Sequence, residues 1–172
     1  MVILKMYGGF VMQAKHPYRV KFVKGTIEKW DEYVEVFNNS PLHEHYFKND
    51  GFLKEWLYGP LEEGNVIVAE TEDEGIPVGV MVYDMKGMFA EFPYLALLGV
   101  KDDYRGNLIG SRLVDLFIEL SKKSGFDKCF VCCSHFNPRA KQLYQKKGFK
   151  PQVLIPDMIK KGINEWVLMK RF

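Results

Sequence analysis

Leu97-Leu-Gly-Val-Lys-Asp-Asp-Tyr-Arg-Gly-Asn-Leu-Ile-Gly-Ser-Arg112 is the stretch on which the fold turns. Its apolar start reads as a buried strand. A short loop holding Arg105, Gly106 and Gly110 follows and opens directly into an amphipathic helix expected over 108–123. In that helix Ile109, Leu113, Leu116, Phe117 and Leu120 share one face, while Arg112, Asp115, Glu119 and Lys122 point to water. Successive backbone N–H groups in such a turn, at the positive end of a helix, converge on one concavity that suits an anion such as a pyrophosphate. Glycine there lets a ligand reach the backbone without a Cβ in the way. Glycines at this spacing also simply start helices or let them pack, so the loop alone does not decide. The dinucleotide fingerprint Gly-x-Gly-x-x-Gly is absent and no Gly-Lys-Ser/Thr follows, which disfavours a nucleoside triphosphate.

Upstream, 65–70 and 77–83 read as a hairpin around the acidic run Glu70 to Glu74, which is most simply a solvated loop. A third strand is expected over 89–100, with Pro93 marking an edge or a bulge. Before these, Tyr18 to Val23 alternates like a strand. Thr26 is placed to cap a helix with Ile27, Trp30, Val34 and Phe37 on one face. Residues 42–58 read as one broken or two short helices, interrupted at Asn49-Asp-Gly51 and closed by Gly59-Pro60. Residues 1–17 are an extra strand or a loose arm. Downstream, Lys128 to Cys133 is a continuous apolar strand, as expected for one buried on both faces. Asn137-Pro138 starts a helix that Gly148 ends, and strands over 149–155 and 164–171 complete the chain. The order is mixed α/β in a single domain, with a crossover helix between the two central strands.

The second informative segment is Asn137-Pro-Arg-Ala-Lys-Gln-Leu-Tyr-Gln-Lys-Lys-Gly-Phe149. Together the two segments resemble the GNAT superfamily, the Gcn5-related N-acetyltransferases. The first is similar to the family's Arg/Gln-x-x-Gly-x-Gly/Ala loop and the second to its Asn-x-x-Ala-x-x-x-Tyr-x-x-x-Gly-Phe helix. The resemblance is specific over 95–150 and agrees in element order over 18–172. It implies a splayed, mostly antiparallel sheet flanked by helices, whose central strands part for the pantetheine arm of acetyl-CoA. Leu98, Gly99 and Val100 would pair with that arm through their backbones. The N–H groups of Arg105 or Gly106 through Asn107, Leu108, Ile109, Gly110 and Ser111 would hold the diphosphate, and Asn137 and Tyr144 would also contact the cofactor. Leu108 stands where the family usually has glycine. If that position needs positive φ, leucine costs about 1–2 kcal/mol there, but its N–H survives.

An amine is almost fully protonated at neutral pH and must lose a proton before it attacks. Glu91, on the strand leading to the cleft, is the candidate base that the resemblance offers; the alternative is an exposed edge carboxylate. A backbone N–H of Leu98–Val100 is the implied donor to the oxyanion. Tyr144 matches the family tyrosine that protonates the departing thiolate. With a thiol near about 8.5 and a phenol near about 10, full transfer is uphill by about 2 kcal/mol unless the site lowers the phenol, so Tyr144 acts first as a hydrogen-bond donor. Its alternative role is core packing on a helical face with Ala140, Leu143 and Lys147. His43, His45 and Tyr46 fall in the segment that forms one wall of the family's acceptor pocket; the plain alternative is an amphipathic helix with solvated histidines. Cys129, Cys132, Cys133 and His135 do not make a zinc site, because alternation on a strand puts Cys129 and Cys132 on opposite faces and no second ligand pair exists. No nucleophilic cysteine dyad is evident, so a covalent acyl-enzyme is not expected.

Composition agrees. Hydrophobic residues at 47% and charged residues at 27% allow an ordinary core, and 13 Phe with 9 Tyr imply a core or cleft lined with rings. A net charge of +2 with no clustered basic face gives no footprint for nucleic acid. No apolar run reaches the roughly 18–20 residues that cross a bilayer, the N-terminus lacks a secretory pattern, and three cysteines form no even framework. The expectation is an enzyme of the cytoplasm that uses acetyl-CoA without a metal. Its acceptor would be a small-molecule or protein amine, its acyl chain acetyl, and its final strands are free to pair in a homodimer. The rival, from another class, is a non-catalytic acyl-CoA-binding or sensor domain, against which intact Asn137 and Tyr144 argue.

Overall fold

A computed structural model describes residues 18–48 and 52–172. The N-terminal arm and the break expected at Asn49-Asp-Gly51 lie outside them. Seven strands form one sheet: β1 (Val20–Lys24), β2 (Val66–Thr71), β3 (Pro77–Met88), β4 (Phe92–Val100), β5 (Lys128–Ser134), β6 (Lys150–Ile155) and β7 (Glu165–Arg171). Their order across the sheet is β1-β2-β3-β4-β5-β7-β6. Every neighbouring pair is antiparallel except β4 and β5. Those two are parallel because α3 (Ile109–Lys123) carries the chain back between them.

β4 and β5 pair only through Tyr94 with Phe130 and Leu95 with Val131, and beyond these they part. The cause lies one residue further along β4. Val82 of β3 faces Leu97 and Tyr83 faces Leu95, so Ala96 is an extra, unpaired residue. Such a bulge bends its strand and re-aims the side chains after it. Leu95 packs with Met81, Leu113, Phe117 and Tyr144 on one face of the sheet, while Ala96 and Leu97 pack with Phe37, Leu57 and Val80 on the other. The irregularity expected at Pro93 is present, since the register shifts opposite it between Asp84 and Met88; the bulge at Ala96 is a second one that the sequence did not announce.

The helices sort to the two faces. α3 and α4 (Pro138–Lys146) cover one; α1 (Trp30–Glu35), α2 (Phe52–Glu62) and a π-helical turn over His43–Phe47 cover the other. Three local expectations need correction. Thr26 makes no side-chain cap, and the first helical segment begins as a 3-10 turn over Ile27–Lys29 that buries Tyr33, Val36 and Phe37 rather than Ile27, Trp30 and Val34. α2 runs through Pro60 instead of stopping at Gly59, since proline forfeits only one donor and Glu63 and Asn65 still bond to the carbonyls of Gly59 and Pro60. In α3 the buried stripe includes Val114 and Ile118, whereas Leu116 and Leu120 are half-buried. Among the described residues no helix is long and apolar enough to cross a membrane.

Candidate active site

The gap between β4 and β5 is lined by Leu97 and Leu98 from one strand, Cys132, Cys133 and Ser134 from the other, and Asn137 and Tyr144 from the α4 side. Leu42, Tyr46 and Trp56 close it from the other face. Hydrogen-bond parity decides which backbone groups point into it. Lys101 N–H bonds to Val78 O at 2.9 Å, so Lys101 and, two residues back, Gly99 turn their backbone groups toward β3. Leu98 and Val100 therefore face the gap. Gly99 has a different duty: a Cβ there would lie 2.5 Å from the Phe37 ring. The expected set Leu98–Val100 thus divides into Leu98, which lines the gap, Val100, whose backbone turns to the same side, and Gly99, which packs.

At the end of β4 the chain enters the loop read first in the sequence. Arg105 does not offer its N–H to a ligand. That group bonds to Asp102 O at 3.1 Å, and the guanidinium reaches Val100 O at 3.0 Å, Asn39 O at 3.2 Å and Asp102 Oδ1 at 2.6 Å. Arg105 is a brace between strand end, loop and the segment after α1, and this corrects its expected place in the cradle. The Asn107 amide does similar work on the carbonyl of Tyr104 at 3.0 Å. The first N–H of the helix to find an acceptor is that of Arg112, on Leu108 O at 2.9 Å. Among the described residues, the N–H groups of Gly106, Asn107, Leu108, Ile109, Gly110 and Ser111 have no protein acceptor. Within this run Gly106 takes φ +82° and Leu108 φ 62°. Leu108 sits in the left-handed region with its side chain 71% exposed, so the penalty anticipated for a missing glycine is present in the fold.

Asn137 caps α4, its Oδ1 accepting from Ala140 N at 3.2 Å, and lines the gap. Tyr144 is buried at the back of the gap and meets Phe149 edge-on at 6.0 Å. Burial, with Cys133 and Cys132 adding to it, pushes the Tyr144 phenol well above its ordinary value. The phenol therefore keeps its proton and serves as a hydrogen-bond donor, as the sequence argument anticipated for its first role.

The acceptor-side residues scatter. Tyr46 is buried in the lining, but His45 is exposed and stacks on Phe136 at 3.9 Å, and His43 lies outside the lining. Glu91 sits exposed in the tight β3–β4 turn, after Phe89 and Ala90 at positive φ, and lines neither the gap nor the cavity beside it. Solvent-facing geometry of this kind supports the plain reading of an edge carboxylate. That neighbouring cavity, about 270 Å³, shares Trp56, Tyr94 and Ala96 with the gap and carries Glu63 and Asp84 but no lysine, arginine or histidine.

Burial pushes the Cys132 thiol up to about 11 and those of Cys129 and Cys133 up to about 12. A thiol so rarely ionised is a poor nucleophile. Among the described residues no group of three or more potential ligands is placed to hold a metal.

Sequence reasoning passed over one cluster. Glu165, at the start of β7, is 2% exposed and lines the gap. Its Oε1 accepts from both Tyr46 Oη and Ser134 Oγ at 2.5 Å. The available signal was a lone carboxylate opening an otherwise apolar strand, and period-two alternation does not separate that from a solvated edge position.

A bent central strand opens a cleft beside unengaged main-chain amides, with a protonated phenol behind it, an arrangement whose chemistry suits a long anionic ligand. The profile of the Acetyltransferase (GNAT) family matches residues 27–149, and the chain belongs to that family, whose acyl donor is acetyl-CoA. No curated protein matches the chain. Solved structures share its fold. A ribosomal-protein-alanine N-acetyltransferase from Brucella melitensis superposes with a TM-score of 0.68 at 20% identity, covering 88% of this chain and 99% of the other. The NatC complex bound to Gag peptide and CoA gives 0.69 at 17%, over 89% and 98%. A GNAT-family acetyltransferase from Bacillus cereus gives 0.64 at 16%, over 89% and 97%.

Proposed function

We propose that this protein moves an acetyl group from acetyl-CoA to a primary amine by direct attack, with donor and acceptor bound together. The observation that carries the reading is the run of six unengaged amides, Gly106 to Ser111, in the loop that follows β4, one of the two strands flanking the gap that Tyr144 lines. They fit a diphosphate: the donors are main-chain and neutral, they stand at a helix N-terminus, and nothing lies within 4 Å of where a Cβ on Gly106 would be. The fit of the remaining donor follows strand logic, since Leu98 and Val100 present N–H groups that β5 leaves unpaired.

Acetyl-CoA supplies an acyl thioester. The chain's own part is to hold, orient and handle protons. Leu98 or Val100 N–H donates to the carbonyl oxygen as negative charge develops on it. Tyr144 donates to the sulfur as it leaves. The high thiol values of Cys132 and Cys133 disfavour an acyl-enzyme, which supports attack by the amine itself. Tyr46, with the Glu63 and Asp84 carboxylates of the adjoining cavity, favours a positively charged acceptor, a small amine or the amine of a protein. Calorimetric titration of acetyl-CoA, followed by thiol release in the presence of an amine panel, tests the reading. Heat on binding and amine-dependent thiol release are expected. No heat and no rise in Tm with either acetyl-CoA or CoA would overturn it.

A further inference from the structure

Direct attack requires a group that takes a proton from the acceptor ammonium, and Glu91 is exposed and lines neither the gap nor the cavity beside it. We infer that Glu165, held by Tyr46 and Ser134 at the wall of the β4–β5 gap, is that proton acceptor. The inference rests on the acetyltransferase reading above.

Three observations carry it. The carboxylate is 2% exposed, yet among the described residues it forms no ion pair. A buried carboxylate is ordinarily paired with a cation, because an unpaired charge is costly to desolvate. Here two neutral hydroxyls stand in that place, and both bond to the same oxygen, Oε1, at 2.5 Å. The cation that completes the site is the acceptor's ammonium. Second, Glu165 lines the same gap as Leu98, Asn137 and Tyr144, so the base and the hydrogen-bond donor for sulfur share one cleft. Third, the groups facing it from each packed element are acids that burial keeps neutral: Tyr46 from the π-helical turn, Tyr94 from β4, Cys132 and Cys133 from β5, Tyr144 from α4. The Glu165 charge is itself among the causes that raise all five. The basic groups nearby are occupied, Lys141 over the Trp166 ring at 3.5 Å and His135 Nδ1 on the Asn164 backbone. One carboxylate among phenols and thiols that keep their protons sets a proton acceptor beside a hydrogen-bond donor in a single cleft.

The proton count closes. The ammonium gives its first proton to Glu165, and the freed lone pair forms the C–N bond at the thioester carbonyl. The C–S bond then breaks, the nitrogen's second proton goes to sulfur with Tyr144 bonding to it meanwhile, and Glu165 returns its proton to solvent. The products are the amide, the thiol and one proton.

The test is Glu165→Gln, whose amide oxygen still accepts from Tyr46 and Ser134, so a merely structural carboxylate loses little. Thiol release is followed from about pH 6 to 9 with an amine that the wild type acetylates. Wild-type kcat/KM should depend only weakly on pH over this range, because the enzyme itself takes the proton from the ammonium. In the Glu165→Gln variant it should fall by about a hundredfold near neutral pH and climb about tenfold per pH unit, because only amine already free reacts. The variant's acetyl-CoA Kd should be unchanged. A variant profile parallel to that of an active wild type overturns the inference alone. A wild type that neither binds acetyl-CoA nor releases thiol with any amine overturns the acetyltransferase reading, and this one with it. If Glu165→Gln fails to fold, Glu165→Asp carries the test: its rate should fall while its pH profile stays as shallow as that of the wild type, and an unchanged rate overturns the inference.

Discussion

Replacing Leu108 by glycine should stabilise the protein, against the usual direction for a leucine. Leu108 holds φ 62°, ψ 7° as the residue just before α3. An L-residue in that region carries roughly 1–2 kcal/mol of strain between Cβ and its own backbone. Glycine removes the strain but widens the unfolded ensemble, which returns roughly 0.4–1 kcal/mol. The side chain is 71% exposed, so the apolar burial lost is a minor fraction of the roughly 1.5–3 kcal/mol of a fully buried leucine, about 0.5 kcal/mol. At the middle of these ranges the difference is a gain of about 0.3 kcal/mol, which for a chain of this size raises Tm by roughly 1 °C.

The control is Leu108→Ala. It discards the same burial and keeps the Cβ, so it should fall below wild type, leaving the glycine variant about 1 kcal/mol more stable than the alanine variant. Thermal or urea unfolding of the three proteins measures this. Acetyl-CoA affinity should change little, since the N–H is common to all three. Equal stability of the alanine and glycine variants would refute the claim that left-handed backbone, rather than side-chain contact, sets the energy of this position.

Tyr144→Phe should lower kcat at least about tenfold while leaving acetyl-CoA affinity nearly unchanged, because only the hydroxyl that meets sulfur is lost; stopped-flow or steady-state thiol release reads this, and an unchanged kcat removes Tyr144 from the chemistry. Gly99→Ala should destabilise by roughly 1–3 kcal/mol, since its Cβ would stand 2.5 Å from the buried Phe37 ring; a denaturation midpoint equal to wild type would refute the packing role. Alkaline stability follows from the thiols: the folded values of about 11 and 12 lie above the ordinary 9.0, so above pH 9 the unfolded chain loses protons first. Their contribution is fully present below pH 9 and is lost as pH rises toward 11–12, at up to roughly 1.4 kcal/mol per unit for each thiol. Tm in reducing buffer should therefore fall steadily from pH 9 to 11, and a flat Tm would contradict the burial of these groups.

The fold was legible wherever local chemistry and tertiary demand coincide. The apolar run of β5, the Asn137-Pro138 start of α4 and the stripe on α3 each announce themselves because propensity, capping and burial agree there. Three features were not legible, for one shared reason. The bulge at Ala96, the passage of α2 through Pro60 and the choice of Tyr33 over Trp30 as a core residue are settled by packing between distant segments. Alanine carries no bulge signal, and in α1 the apolar residues crowd closely enough that periodicity admits more than one face.

The site divides along the same line. The amides proposed for the donor were readable as a run because a glycine-bearing turn ahead of a helix leaves a pattern in consecutive residues. The site's proton-handling half was not, because Glu165 lies 31 positions from Ser134 and 119 from Tyr46, on three different elements, and no local period links them. The bulge at Ala96 is what joins the halves. Without it β4 would run on beside β5, the N–H groups of Leu98 and Val100 would face strand rather than gap, and Glu165 would be sealed against a closed sheet with no cation to meet. A buried carboxylate left unpaired is a liability in a continuous sheet and an asset only at an opening, so the position of Glu165 and the parting of β4 from β5 belong to a single functional arrangement.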